Sequence, residues 1–248
     1  MGYVFDFKDA IAYEQWLDHP RNKRFTDLAK QLMCEMLLPK KGETLLDIGC
    51  GTGANLLSFF EMGLEVTGLD PSPYMLDIAS KIVCNRADLH RGFAEDLPFE
   101  DNTFNYSCFM TTLEFVEDPK KAIEEVSRVT KDRIFIGVLN RYAIKGIQIR
   151  VKGIFIKTIY NHAQFFSIFE LKKIIHSILG NVPVSWKTVS LFPSVTRKFT
   201  LPIEKSNLFK KCPFGSFVGI VVTPVPRFKT RPLGLKYRAK QTAGVVTS

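Results

Sequence analysis

The chain has little of what would span a membrane or staple a fold together. No apolar run approaches the roughly 18 residues that a membrane-spanning helix needs. The opening stretch, MGYVFDFKDAIAYEQW, is acidic where a secretion leader is basic, and it has no cleavable apolar core, so the expectation is a cytoplasmic protein. The five cysteines (Cys34, Cys50, Cys84, Cys108, Cys212) are odd in number and form no C-x-x-C pair. That speaks against a disulfide framework and against a zinc site, and no metal is expected. Internal repeats and low-complexity segments are absent as well. Acid is scarce in one half. Residues 141–248 hold 19 Lys and Arg against Glu170 and Glu204 alone, a net of +17, which leaves 15 basic and 23 acidic residues, or −8, in 1–140. Such polarisation often marks an anionic partner of the basic part.

What is present reads as one globular domain with appendages: 248 residues, 46% hydrophobic and 24% charged, suffice for one large core. Phe25, Leu28, Leu32, Met33, Met36 and Leu37 recur at helical spacing, so an amphipathic helix precedes Pro39. Strand-like runs follow at Thr44–Ile48, 65–69, 88–93, 103–109, 133–139, 184–191 and 216–222, with helix-like runs between the early ones. Gly63 is a helix stop, Asp118 with Pro119 a helix start, and Ser167 with Glu170 a capping box. The alternation predicts an α/β fold: a seven-stranded, mostly parallel sheet with helices on both faces and an antiparallel last strand. The expected division is an N-terminal lid and helix over 1–40, the α/β domain over 41–223, and a basic, extended tail over 224–248. Residues 141–166 read as an insertion after the fifth strand. It carries Arg141, Lys145, Arg150, Lys152 and Lys157 without one acid.

The first strand ends in Gly49-Cys50-Gly51-Thr52-Gly53 and turns at once into a helix. Glycines at such a turn let a ligand lie against bare backbone, and the amides at the helix start favour a carboxylate or phosphate. Twenty-one residues after Gly49, Asp70 closes the second strand, where an acid can accept from both hydroxyls of a ribose. The spacing is G-x-G-x-G and not the G-x-G-x-x-G of dinucleotide enzymes. Asp47, near the loop, would repel a pyrophosphate but suits an ammonium or sulfonium cation. S-adenosylmethionine carries both.

Three segments in register, LLDIGCGTG, GLDPSPYML and GFAEDLPFEDNTFNYSCFMTTLEFVEDPKKAIEEVSRV, resemble the type-11 class I methyltransferases, the group that includes ubiquinone and menaquinone biosynthesis enzymes. The resemblance implies S-adenosylmethionine as cofactor and a Rossmann-like methyltransferase sheet. Gly49, Gly51 and Gly53, with Cys50 and Thr52 between them, would then line the methionine portion and Asp47 would meet its amino group. Asp70 would hold the ribose, Pro71 and Met75 would lie near the adenine, and Ala94 and Glu95 fall where the family's adenine-side motif falls. The family's usual Asp before that Ala is Phe93 here. Thr111 to Glu114 follow the fourth strand and would face the methyl group and its acceptor. Where many relatives have Glu-His-Val, this chain has Glu114-Phe115-Val116, which excludes a histidine base there.

Methyl transfer needs in-line approach and exclusion of water more than elaborate acid–base chemistry. Should the acceptor need a base, Glu114, His162, Tyr160 and Tyr142 are the candidates on family-typical lid positions, and Tyr13 and Trp16 resemble N-terminal lid aromatics. The expected partner is a small-molecule acceptor, anionic or lipid-like if the basic 141–166 segment closes over it, with peripheral membrane contact through that segment as a related reading. Two other classes compete. A nucleic-acid methyltransferase would use the basic half on phosphates, but no NPPY-like motif is present and the Lys-Cys-Pro-Phe at 211–214 reverses the Pro-Cys order of cytosine enzymes. The other is a non-catalytic module of methyltransferase fold.

Overall fold

The structure, a computed structural model of the chain, describes residues 2–143, 162–189, 213 and 215–225. Most of the 141–166 insertion, with Tyr160, and nearly all of the tail lie outside the described residues. Two helices open the fold, α1 (Phe7–Asp18) and α2 (Pro20–Leu37). Asp6 caps α1 by accepting from the Asp9 amide at 2.9 Å, while the Asp9 carboxylate accepts from the Asp6 amide at 3.1 Å. The alternating part then runs β1 (Thr44–Ile48), α3 (Ala54–Glu61), β2 (Glu65–Asp70), α4 (Pro73–Val83), β3 (Asp88–Arg91), β4 (Phe104–Met110), α5 (Pro119–Val129), β5 (Thr130–Leu139), α6 (Ile168–Leu179), β6 (Val184–Val189) and β7 (Phe217–Val222). Helix starts fall where side-chain oxygens can take the free amides: Ser72 accepts from Met75, Asp118 from Lys120 and Lys121, and Ser167 from Glu170.

The seven strands form one sheet in the order β3-β2-β1-β4-β5-β7-β6. Neighbours are parallel except that β7 runs against both β5 and β6, as the short connection between the last two strands predicts. Alternation along the strands sorts the core into two layers. Leu45, Tyr106, Phe135 and Phe217 face α2 and α3, whereas Leu46, Ile48, Phe109 and Ile136 face α5 and α6. Most strand boundaries among the described residues fall within one residue of the sequence reading, and two differ by more. β3 stops at Arg91, two residues early, because Gly92 and Phe93 turn away, with the Gly92 amide on the Asp70 carbonyl at 3.3 Å. β5 starts at Thr130, directly after α5, because Thr130 pairs with Phe104 before a register shift.

The order places β2 on one side of β1 and β4 on the other, so the helices after β1 and β4 diverge and open a crevice at the carboxyl ends of these strands. No helix among the described residues is long and apolar enough to cross a membrane.

Candidate functional site

A cavity of about 300 Å³ occupies that crevice. Its floor is the loop after β1, where Gly49, Gly51 and Gly53 all have left-handed backbones, with φ of 72°, 54° and 80°. They are not bare for the same reason. A Cβ on Gly49 would stand 2.1 Å from the Thr112 methyl, and one on Gly53 would stand 3.1 Å from Ala79 Cβ. A Cβ on Gly51 would meet nothing nearer than the Tyr13 ring at 3.9 Å. A side chain at Gly49 therefore collides with Thr112 and one at Gly53 presses on Ala79, and of the three only Gly51 presents bare backbone with open space above it. Cys50 and Thr52 line the cavity beside it.

Asp70, at the end of β2, lines the same space while 7% exposed. Its Oδ2 accepts from the Gly51 amide and its Oδ1 from the Ser72 amide, each at 2.9 Å. A carboxylate offers about four acceptor directions, so two remain for hydroxyl donors in the cavity. Burial raises its pKa and the two amides lower it. Pro71 and Met75 follow on the same wall.

Four expected cofactor residues lie outside the lining: Gly53, which packs on Ala79, and Asp47, Ala94 and Glu95. Asp47 is fully buried: its Oδ1 accepts from the Cys108 thiol at 3.1 Å and its Oδ2 has no partner among the described residues. Desolvation lifts its pKa to about 7. It shares the α2 and α3 face of β1 with Leu45, and so lies beneath the loop and outside the lining. Ala94 packs into the core facing α5. Glu95 turns away from the cavity and accepts from the amides of Glu117 and Asp118 at 2.8 and 3.3 Å. The loop carrying both is held from below by Arg128, whose guanidinium reaches Glu125, Asp101 and the carbonyls of Leu97 and Phe99.

The other end of the cavity lies beyond β4 and β5. Thr111 lines it with a φ of 55°, a conformation that costs a β-branched residue roughly 1–2 kcal/mol and so marks a constrained turn. Glu114 lines it while only 1% exposed. One Glu114 oxygen accepts from the Leu139 amide at 2.7 Å; the other, Oε2, has no partner among the described residues. Burial pushes this carboxyl up to about 8. Neighbouring walls are aromatic, with Phe5 and Phe115 edge to face at 5.2 Å. The described lining contains no lysine, arginine or histidine; its ionisable carboxylates are Asp70 and Glu114.

The roof is the N-terminal strap, residues 2–6, leading into α1. The Tyr3 amide donates to the Phe115 carbonyl at 2.9 Å, and the Ser72 hydroxyl donates to the Phe5 carbonyl at 2.7 Å. Tyr13 and Trp16, stacked at 5.8 Å, complete the wall from α1. His162 is not part of the lining; it is exposed and stacks on the outer Tyr3 ring. Tyr142, half exposed, is also outside the lining, and Arg141 is committed to Glu170 and the Phe165 carbonyl. Of the four base candidates the structure thus brings Glu114 alone to the cavity, while Tyr160 lies outside the described residues. Sequence reasoning missed Tyr3, Phe5 and Phe165 as lining residues; only Phe115 carried a signal, as the ring standing where relatives have histidine. Among the described residues no three His, Cys, Asp or Glu side chains cluster to hold a metal ion.

Comparison with known proteins agrees with this geometry. Residues 46–135 match the family model described as a methyltransferase domain. An uncharacterised protein of Methanocaldococcus jannaschii is 36% identical over 149 residues, covering 58% of this chain and 64% of the relative. A demethylmenaquinone methyltransferase of Paenarthrobacter aurescens is 34% identical over 104 residues, 41% of this chain and 40% of the relative. The chain thus spans between about two fifths and just under two thirds of the length of these curated relatives. A crystal structure from Thermotoga maritima, described as a SAM-dependent methyltransferase and possible histamine N-methyltransferase, superposes with a TM-score of 0.69 at 27% identity, covering 88% of this chain and 96% of that one. Residues 46–135 thus carry a methyltransferase domain, and with its glycine turn, its Asp70 wall and its sheet order the chain has the fold of S-adenosylmethionine-dependent methyltransferases.

Proposed function

We propose that the protein transfers a methyl group from S-adenosylmethionine to a small-molecule acceptor. The observation that carries this reading is the pairing of Gly51, bare and facing open space, with the half-occupied carboxylate of Asp70 in one cavity. The residues present fit the cofactor. Gly51 admits a close approach to backbone, Asp70 has acceptor capacity left for two ribose hydroxyls, and a cation above the loop would favour the ionised form of the buried Asp47 beneath it. When bound, the cofactor supplies a methyl group on a sulfonium, which a nucleophile takes in line. The protein's part is to orient and to exclude water: the strap, Tyr13 and Trp16 roof the cavity, and Thr111 fixes the turn that faces the transferred group.

The demethylmenaquinone methyltransferase relatives support a small acceptor over a macromolecule. The expectation of an anionic or lipid-like acceptor drew on the charge of 141–166, most of which is outside the described residues, whereas the described lining holds carboxylates and rings. Incubation with methyl-labelled cofactor and a metabolite extract tests the reading. Label should enter low-mass compounds with the wild type and not with Gly51→Val; label found only in RNA or protein would contradict it.

A further inference from the structure

The acceptor end of the cavity has a chemistry of its own. Glu114 lines the cavity while buried, one oxygen is used by the Leu139 amide, and Oε2, itself buried, has no partner among the described residues. A polar atom so placed costs about 1–3 kcal/mol unless something pairs with it. Around it stand Tyr3, Phe5, Phe115 and Phe165. Phe5 meets Tyr3 at 5.6 Å and 69° and Phe115 at 5.2 Å and 78°, edge-to-face contacts that fix the rings as walls. Ring faces attract cations and planar groups, and no cationic side chain of the described lining competes for them.

Resting on the reading of the cavity as a methyl-transfer site, we propose that the acceptor is an amine borne on an aromatic frame, received by Glu114 between these rings and methylated on that nitrogen. An anionic acceptor would bring like charge against Glu114 and find no cation in the described lining to offset it. An ammonium does the opposite, since its approach favours the ionised carboxylate. The electron count closes. The ammonium gives one proton to Glu114 Oε2, which frees the nitrogen lone pair. That pair forms the N–C bond to the methyl carbon as the C–S bond breaks, and sulfur keeps the bonding pair and becomes a neutral thioether. The methylated nitrogen carries the positive charge that sulfur loses, and Glu114 returns its proton to water when the product leaves. Within the proposal Glu114 is a catalytic residue, because its carboxyl touches the reacting nitrogen.

The test uses two probes of one shape and opposite charge, phenethylamine and phenylacetate, titrated at about pH 7 against the full chain saturated with S-adenosylhomocysteine. The amine should bind at least about tenfold tighter, and Glu114→Gln should reduce that preference to less than about threefold. Equal or tighter binding of phenylacetate, failure of both probes to bind at about ten millimolar, or a preference that survives Glu114→Gln would each overturn the proposal. The wild-type comparison needs no variant, so an unstable Glu114→Gln protein leaves it decisive. Binding of S-adenosylhomocysteine is recorded first. Its failure would defeat the proposed function separately, and the two probes would then be compared on the unloaded protein.

Discussion

The rings of Tyr3 and His162 stack with centroids 4.4 Å apart and planes 8° from parallel. Tyr3 also donates to Asp9 through its hydroxyl at 2.7 Å and to Phe115 through its amide, so His162 clamps the outer face of a strap that is tied at three further points, counting the Ser72 to Phe5 bond. We propose that His162, stacked on Tyr3 and outside the lining, holds the strap and does not move protons. His162→Ala should therefore speed cofactor release several-fold while single-turnover methyl transfer stays within about twofold of wild type. Stopped-flow release together with rapid-quench turnover reads both quantities; a collapse of the single-turnover rate at unchanged release would make His162 a base after all.

The glycine turn separates fold from binding. Gly49→Ala forces Thr112 aside and keeps a left-handed backbone, so it should cost at least about 2 kcal/mol of stability. Gly51→Ala meets no atom closer than 3.9 Å and should cost about 1 kcal/mol for its backbone alone, yet weaken cofactor binding tenfold or more. Urea denaturation and calorimetry on the two variants should rank them in opposite orders.

Stability should fall with rising pH across a defined window. Glu114 is raised from 4.5 to about 8 by burial, so between these values the folded state holds a proton that the unfolded chain has lost. Its stabilising proton is fully present below the unfolded value and lost through the folded one, a slope on the order of 1 kcal/mol per pH unit. Asp47, raised from 3.8 to about 7, adds to the lower part of the window. Glu114→Gln should abolish the slope above about pH 7 and roughly halve it below, where Asp47 still contributes. Denaturation midpoints between about pH 5 and 9 check this, and an unchanged slope in the variant would mean that Glu114 is ionised in the folded protein.

Much of this site was legible in the chain because the features that build it are local. A strand that ends in alternating glycines, an acid closing the next strand and caps at Asp118 and Ser167 are each decided within a few residues, and the structure has all of them. Asp47 was misplaced because adjacency to the loop was read as contact. Period-two alternation puts its side chain on the face that Leu45 uses, a layer below the rim. Glu95 was misplaced because its partners, the amides of Glu117 and Asp118, lie more than twenty residues on. The strap left no trace in periodicity. Tyr3 and Phe5 precede the first helix, and their partners at Phe115 and Ser72 are brought near by the sheet order alone.

Titration of S-adenosylmethionine into the wild-type protein and Asp70→Ala tests the central claim most directly. The account predicts one site in the wild type and at least a tenfold loss in the variant, because a charge-assisted pair of bonds, each worth about 1.5–3 kcal/mol, is removed. Circular dichroism on the variant controls for the Gly51 and Ser72 amides that Asp70 also holds. No binding by the wild type, or equal affinity in a folded Asp70→Ala protein, would contradict it.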